Sequence, residues 1–388
     1  MQVNYAYKFY IKPNKQQRQL LEHHFGCNRF VWNYFLHQRQ TFYQTNKEDI
    51  EAKRIKGNCS YYNDANELVN LKKQEEYKWL KEVNSQTLLS TLQHLDTAYK
   101  NFFKKQAKFP RYKKKFDNQS FTVPQHIRVE NGKIYFPKFS EGIRLKQHRQ
   151  IEGRICNATV SKRANKYYVA IIVEKEIEPL QHNSNAVGID VGIKDFCILS
   201  DGTRYKNIKT LKKYLKKIKY LQRQLSKSKK ASKRRDKRKL KLAILHQRIS
   251  NKRLDYLHKI TNSITNENQV VCIEDLNVSG MMKNHKLAQA ISDCGWHEFK
   301  RQLEYKCKWK GRQLVIIDRF FPSSKTCNNC GYINQELTLQ VRQWECPQCN
   351  CKLDRDLNAA RNILKQGLKM ADGTAVKSEG SRLRWKKL

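Results

Sequence analysis

Acidic residues are in short supply in this sequence. Its 388 residues hold 35 Asp and Glu against 78 Lys and Arg, a formal net charge of +43. A chain this basic repels itself unless a polyanion compensates. Counterion release from phosphates rewards many Lys and Arg contacts, so nucleic acid is the expected partner. An anionic membrane is the rival, but no apolar run is long enough to span a bilayer. The opening MQVNYAYKFYIKPN lacks a signal-peptide pattern and reads as a strand and a turn. No internal repeat is evident. The regular cysteine spread of a disulfide framework is also missing: Cys27, Cys59, Cys156, Cys197, Cys272, Cys294 and Cys307 are scattered, and the other five of the twelve crowd between positions 327 and 351. That distribution predicts a reducing, cytoplasmic setting and one local metal site. The length allows two or three domains.

Along the chain, Val3 to Ile11 predicts a strand, and Asn14 a cap for a helix running to Gly26. A second helix carries Phe30, Val31, Tyr34 and Phe35. Ser85 is a candidate cap for another, with Leu88, Leu92, Leu95, Tyr99 and Phe102 as its apolar stripe. In FPRYKKKFDNQSFTVP, Arg111, Lys113, Lys114 and Lys115 stand beside Tyr112 and Phe116, which suits a nucleic-acid surface as well as a merely solvated loop. Lys133 to Pro137 predicts a strand. NATVSK and KYYVAIIVE predict a hairpin around RAN. After a linker near 178–185, AVGIDVG and DFCILSDG read as strands. Residues 206–235 then hold fourteen Lys or Arg and no acid, and open a basic antiparallel helix pair reaching towards Ile264. The tail after Gly367 lacks apolar periodicity and is expected to be mobile.

Cys327-Asn328-Asn329-Cys330 and Cys346-Pro347-Gln348-Cys349 are two CxxC knuckles with fifteen residues between them. This is the spacing of a zinc ribbon, in which four thiolates close a tetrahedral structural site. Gly331 supplies the tight turn after the first knuckle. Cys351 is a fifth thiol, either spare or able to swap for Cys349.

Three acids stand out by their surroundings. Asp190 lies inside the apolar strand AVGIDVG, Glu274 ends the apolar strand VVCIE, and Asp356 lies in LDRDLNAARNIL at the start of a helix. An isolated carboxylate in such a strand is costly to bury unless a cation or strong donors meet it. Mg²⁺ takes hard oxygen ligands and keeps waters for reaction. Three acids from distant segments suffice for two such ions and phosphodiester hydrolysis. Each has a plainer alternative: Asp190 in a turn, Glu274 paired with a Lys, Asp354 or Asp356 capping the last helix. Asp195, Asp201 and Asp275 are weaker candidates: the first two bracket a turn, and Asp275 points away from Glu274.

The order and wording of these motifs resemble the TnpB family of transposon-encoded RNA-guided nucleases, which is similar to compact type V CRISPR effectors. GIDVGIKDFCILSDG, VVCIEDLNVSGMMKN, and FFPSSKTCNNCG with WECPQCN and LDRDLNAARNIL carry the match. YKFYIKPNKQQ, the Asn28-Arg29 helix and FPRYKKK match more loosely. The resemblance implies an α/β multidomain fold: an RNase H-like (RuvC) nuclease domain at 181–320 and 352–367 with an inserted zinc ribbon at 321–351. It also implies an amino-terminal β-barrel wedge at 1–12 and 106–180, a helical recognition insertion at 13–105, and a basic tail at 368–388. By the same resemblance Asp190, Glu274 and Asp356 are the catalytic acids, Asp356 being preferred to Asp354 because Asn358-Ala359-Ala360 follows it as in the family. Arg29 joins the basic loop as a nucleic-acid contact. The implied cofactors are two Mg²⁺ ions, structural Zn²⁺ and a transposon-derived guide RNA, and the implied substrate is double-stranded DNA beside a short adjacent motif. A guided repressor without cutting and a strand-transferring transposase are the alternatives. Asn350 and Cys351 depart from the family's pattern around the second knuckle.

Overall fold

The computed structural model describes residues 1–51, 60–116, 118–338 and 340–377; Cys59 falls outside them. The chain divides into two compact units, Gln2–Glu176 and a second made of Met1 with Ile177 onward.

The first unit opens with β1 (Gln2–Lys12), whose alternate residues Tyr7, Phe9 and Ile11 are buried. Asn14 then caps α1 (Lys15–Thr45): its side chain accepts from the Gln17 backbone while Gln17 accepts from its own. The two helices expected on either side of Gly26 are this one helix. Leu21 and Phe25 sit in the core of the sheet, and Cys27, Val31, Phe35 and Leu36 sit in a helical core. Burial on both sides outweighs the ~1 kcal/mol that glycine costs a helix. The helical core is completed by α3 (Tyr61–Leu71), which follows the short α2 (Lys47–Glu51), and by α4 (Ser85–Phe103), which buries Leu88, Leu92 and Leu95. Asn84, not Ser85, caps α4 by accepting from the Gln86 backbone.

Six more strands follow: β2 (Gln119–Val123), β3 (Arg128–Glu130), β4 (Lys133–Phe136), β5 (Phe139–Lys146), β6 (Arg154–Arg163) and β7 (Lys166–Glu176). With β1 they form an antiparallel sheet in the order β2-β6-β7-β1-β5-β4-β3. The expected hairpin is β6–β7, turning through Ala164 and Asn165 at positive φ. Among the described residues β2 and β3 end the sheet without pairing to each other, so hydrogen bonds do not close it into the expected barrel. Both edges nevertheless feed one core, Phe121 and Val123 from β2 and Val129 from β3.

The second unit holds β8 (Ala186–Val191), β9 (Asp195–Leu199), β10 (Arg204–Lys206), α5 (Thr210–Ser226), α6 (Lys233–Glu267), β11 (Val270–Glu274), α7 (Val278–Met281), α8 (Ala288–Cys294), α9 (Trp296–Lys310), β12 (Gln313–Ile317), β13 (Gln343–Glu345), β14 (Lys352–Asp354) and α10 (Arg355–Lys377). Its sheet runs β10-β9-β8-β11-β12, with β8, β11 and β12 parallel and β9 antiparallel to its neighbours β8 and β10. Val187, Ile189, Val271 and Ile273 face α6 and α9; Cys272 faces α10 with Ile363. This helix approaches so closely that a Cβ at Gly188 would collide with the backbone of Ala360 and Leu364. The helix also continues past Gly367, where the tail was expected to loosen. Cys272 packs against that glycine and Ala371 against the same core, so tertiary burial carries the helix past Gly367, and it runs to Lys377. Residues 378–388 of the tail lie outside the described residues. The basic pair is α5 with α6, joined through Ile218, Leu245 and Ile249. No helix among the described residues is long and apolar enough to cross a membrane.

Candidate active site

β8 and β11 pair in parallel register, Gly188 with Cys272 and Ile189 with Ile273, so one further step brings Asp190 level with Glu274. Neighbouring strands lie about 4.8 Å apart. Strand alternation puts both carboxylates on the side of Gly188 and Cys272, the side that α10 covers. Asp356 stands in the first turn of α10. Three acids from segments far apart in sequence thus converge on one end of the sheet.

Their electrostatics show the cost of this. Burial pushes the Asp190 carboxyl well above its ordinary range; the charges of Glu274 and Asp356 push it further, against the pull of Arg355 and Arg342. Burial also raises Glu274, opposed by the hydroxyl of Ser323, which donates to it. Asp356 is paired with Arg342 at 2.9 Å and Arg355 at 3.0 Å. Among the described residues only a group of cysteines draws three or more ligand atoms within 4.8 Å of one another, so the acids face a common space without closing on it. A buried carboxylate set against two others is the donor set that a hard divalent cation relieves, so the residues present fit Mg²⁺.

The remaining acids are occupied elsewhere. Asp354 accepts from the Leu357 backbone at 3.0 Å and pairs with Arg204 at 3.0 Å, so it, not Asp356, caps α10. Asp275 lies 2.9 Å from Lys300 and also pairs with Arg319, and hydrogen bonds from both hold its carboxyl below the usual range. Asp195 and Asp201 bracket a strand, not a turn: Asp195 opens β9, while Asp201 follows it and accepts from the Thr203 backbone.

Cys327, Cys330, Cys346 and Cys349 place their sulfurs within 4.8 Å of one another, a four-thiol set suited to a structural zinc ion. The two knuckles are built alike. The Gly331 N–H returns to the Cys327 carbonyl at 2.9 Å and the Asn350 N–H to the Cys346 carbonyl at 2.8 Å. Gly331 and Asn350 both have positive φ, so Asn350 fills the left-handed position that a glycine would take. Cys351 is not remote: its sulfur lies 3.2 Å from that of Cys349 and 3.5 Å from that of Cys327.

Sequence reasoning missed the groups that join these sites. The Asn328 N–H in the first knuckle donates to Asn358 of α10 at 2.9 Å. Asn358 and Asn362 both donate to the Thr326 carbonyl, at 2.7 and 2.6 Å. Asn362 also donates to the Ser323 carbonyl at 2.8 Å. The helix that carries Asp356 is therefore tied to the zinc knuckle and to the serine on Glu274. Ser323, Arg342 and Arg355 carry no local sequence signature of such a role.

In the first unit the basic stretch is strapped to α1. Trp32 donates to the Arg111 carbonyl at 2.9 Å, and Asn33 exchanges two bonds with the Lys113 backbone. The Lys113 ammonium lies 3.8 Å from the Trp32 ring centre, and burial pulls its pKa down to about 8. The Tyr112 hydroxyl donates to Gln40 at 2.6 Å, and Arg29 donates to Gln119 at 3.0 Å. Lys113 and Tyr112 therefore take part in the loop's own attachment, although both are exposed, as are Arg111 and Lys115.

Comparison with known proteins agrees with this arrangement. Residues 169–285 match the OrfB family of IS605, described as a probable transposase. Residues 296–363, which span the cysteines and Asp356, match the Cas12f1-like TNB domain. Residues 1–48 match a helix-turn-helix family, although here they form a strand and one long helix. Two curated relatives carry the name "Putative RNA-guided DNA endonuclease". One, from Streptomyces pristinaespiralis, is 40% identical over 98% of this chain and 94% of its own. The other, InsQ of Escherichia coli (strain K12), is 36% identical over 93% and 92%. A solved Cas12f1–sgRNA–target DNA complex shares the fold at a TM-score of 0.57 and 14% identity, covering 90% of this chain and 83% of that one. With such identity across nearly the whole of both chains, this protein belongs to the TnpB family.

Proposed function

We propose that this protein is an RNA-guided DNA endonuclease whose RuvC-type site is Asp190, Glu274 and Asp356. The observation that carries the reading is the desolvated Asp190 carboxylate facing two further acids on the α10 side of the sheet. On this reading residues 181–320 and 352–367 form an RNase H-like nuclease domain, with the strand order β10-β9-β8-β11-β12 as its sheet. Residues 321–351 form the zinc ribbon, 1–12 and 106–180 the wedge, and 13–105 the recognition lobe. The net charge of +43 accommodates a resident guide RNA and a DNA substrate together, in the cytoplasm or nucleoid.

The three acids would hold two Mg²⁺ ions, which when bound supply an activated water and charge relief at the leaving 3′ oxygen. Ser323 orients Glu274 and favours its ionised form. Arg342 and Arg355 pair with Asp356 and fix its orientation. Base pairing with the guide supplies sequence specificity, and the protein grips backbone, shape and a short adjacent motif. The test is cleavage by the purified RNA complex. Mg²⁺-dependent double-strand breaks are expected, and Asp190→Ala should abolish them while RNA binding persists. Guide-dependent cutting by Asp190→Ala overturns the site assignment. The family description as a transposase favours one other reading, strand transfer, which RNA-independent joining products would support.

A further inference from the structure

β11 and β12 run parallel with Glu274 level with Ile317, so the chain leaves β12 at the end of the sheet where the acids converge. There it forms a turn that is held at each step. The Asp318 carboxylate accepts from the Phe320 N–H at 2.7 Å, and the Asp318 carbonyl accepts from the Phe321 N–H at 3.3 Å. Arg319 is anchored on Asp275, donating to its carbonyl at 3.1 Å and pairing with its carboxylate. Phe321 packs with Val315, Ile317 and Ile363 in the core beneath α10. Ser323 then reaches Glu274. Phe320 stands between these anchors and is 86% exposed, more than any other large hydrophobic side chain among the described residues.

With both neighbours fixed, the ring cannot turn into the core, and the turn presents it to whatever approaches the acids. Three residues span at most about 11 Å, so the Phe320 Cα lies within that reach of the serine that holds Glu274. Ligands of open α/β sheets bind outside the carboxyl ends of the strands, where this turn lies. A DNA strand brought there offers charged phosphates, polar sugars and one flat apolar surface, the face of a base. We propose that Phe320 stacks on an unpaired base beside the cut and fixes which phosphodiester bond lies over Asp190, Glu274 and Asp356. The inference rests on the catalytic reading above and deepens it. Stacking of a ring on a base tolerates any sequence, which suits a nuclease whose selectivity lies in pairing with its guide. The strand displaced by the guide is already single, so no base pair is broken to seat the base.

The test uses the full chain with its guide RNA and target. Phe320→Ala removes an exposed ring, so the melting temperature and target affinity should stay as they are. Single-turnover cutting of the displaced strand should slow about tenfold, and the cuts should spread over neighbouring bonds. Phe320→Trp keeps a stacking face and should keep the wild-type rate and cut position. Abasic sites are then stepped through the displaced strand around the cut. One of them should slow the wild-type protein about as much as Phe320→Ala does and should slow Phe320→Ala no further, the coupling expected of a ring and a base in contact. Phe320→Ala that cuts the same bonds at the wild-type rate, or abasic effects that add to it at every position, overturn the proposal. Cutting by Asp190→Ala sinks the catalytic reading instead, so the two failures are told apart.

Discussion

Asn362 on α10 donates to the carbonyl of Ser323 at 2.8 Å, and the Ser323 hydroxyl donates in turn to Glu274. One buried asparagine thus links the helix bearing Asp356 to the acid on β11. Such supporting bonds typically account for 10–100-fold in metal affinity or activity. Ser323→Ala removes the hydrogen bond that opposes the rise in the Glu274 pKa. Its carboxyl then ionises at higher pH. The cutting rate of the RNA complex should fall about 10–100-fold at neutral pH, and the acid limb of its pH–rate profile should move upward, while Ser323→Thr retains both rate and profile. A profile for Ser323→Ala that superimposes on wild type refutes the role.

The zinc site should tolerate one particular loss. Cys351 lies 3.5 Å from Cys327 and 3.2 Å from Cys349, near enough to take the place of the latter. Cys349→Ser is therefore expected to retain close to one zinc per chain, and Cys327→Ser or Cys346→Ser to lose it. Metal analysis of the purified variants decides the matter. Equal loss from Cys349→Ser and Cys327→Ser shows that Cys351 cannot substitute.

How much of this could be read in advance depended on distance along the chain. The knuckles were legible because two residues between thiols is a local rule. Asp190 and Glu274 stood out because an acid at the end of an apolar strand is locally expensive. Ser323 was not legible: its partner lies 49 residues away, and only the fold of β11 and α10 brings them together. The same reason hid the course of α1 through Gly26 and of α10 through Gly367, where cores from other segments overrule a weak local signal. β2 was lost because QSFTV follows a basic aromatic run that reads as loop, and its register comes from β6.

The basic loop should divide into holding and binding residues. Arg111, Lys113 and Lys115 are all exposed, but the Lys113 ammonium lies over the Trp32 ring. Each phosphate contact adds about 0.9 to the slope of log affinity against log salt on duplex and ~0.7 on a single strand. The double variant Arg111→Ala/Lys115→Ala should lower the slope for RNA binding by about 1–2. Lys113→Ala should leave the slope unchanged and lower the melting temperature. Salt titrations of guide binding, with melting curves alongside, test both. A reduced slope for Lys113→Ala contradicts the assignment.

The amino-terminal unit should lose stability in mild acid through one side chain. His24 is buried between Phe121 and Phe139, accepts from the Asn84 backbone at 3.2 Å and bonds the Leu20 carbonyl at 2.8 Å. Burial pulls its pKa from 6.5 to about 4. The folded state therefore binds fewer protons than the unfolded state between these values, so stability rises with pH across that window. The contribution is fully present above the unfolded pKa and is lost as pH falls towards the folded one. The loss approaches ~3 kcal/mol at most, at 1.36 kcal/mol per pKa unit. His24→Gln can make both hydrogen bonds without titrating, so its unfolding free energy should vary less between pH 7 and pH 4.5. Denaturant unfolding of the two proteins at several pH values, followed by Trp32 and Trp79 fluorescence, measures this. An equally steep acid limb in His24→Gln assigns the sensitivity elsewhere.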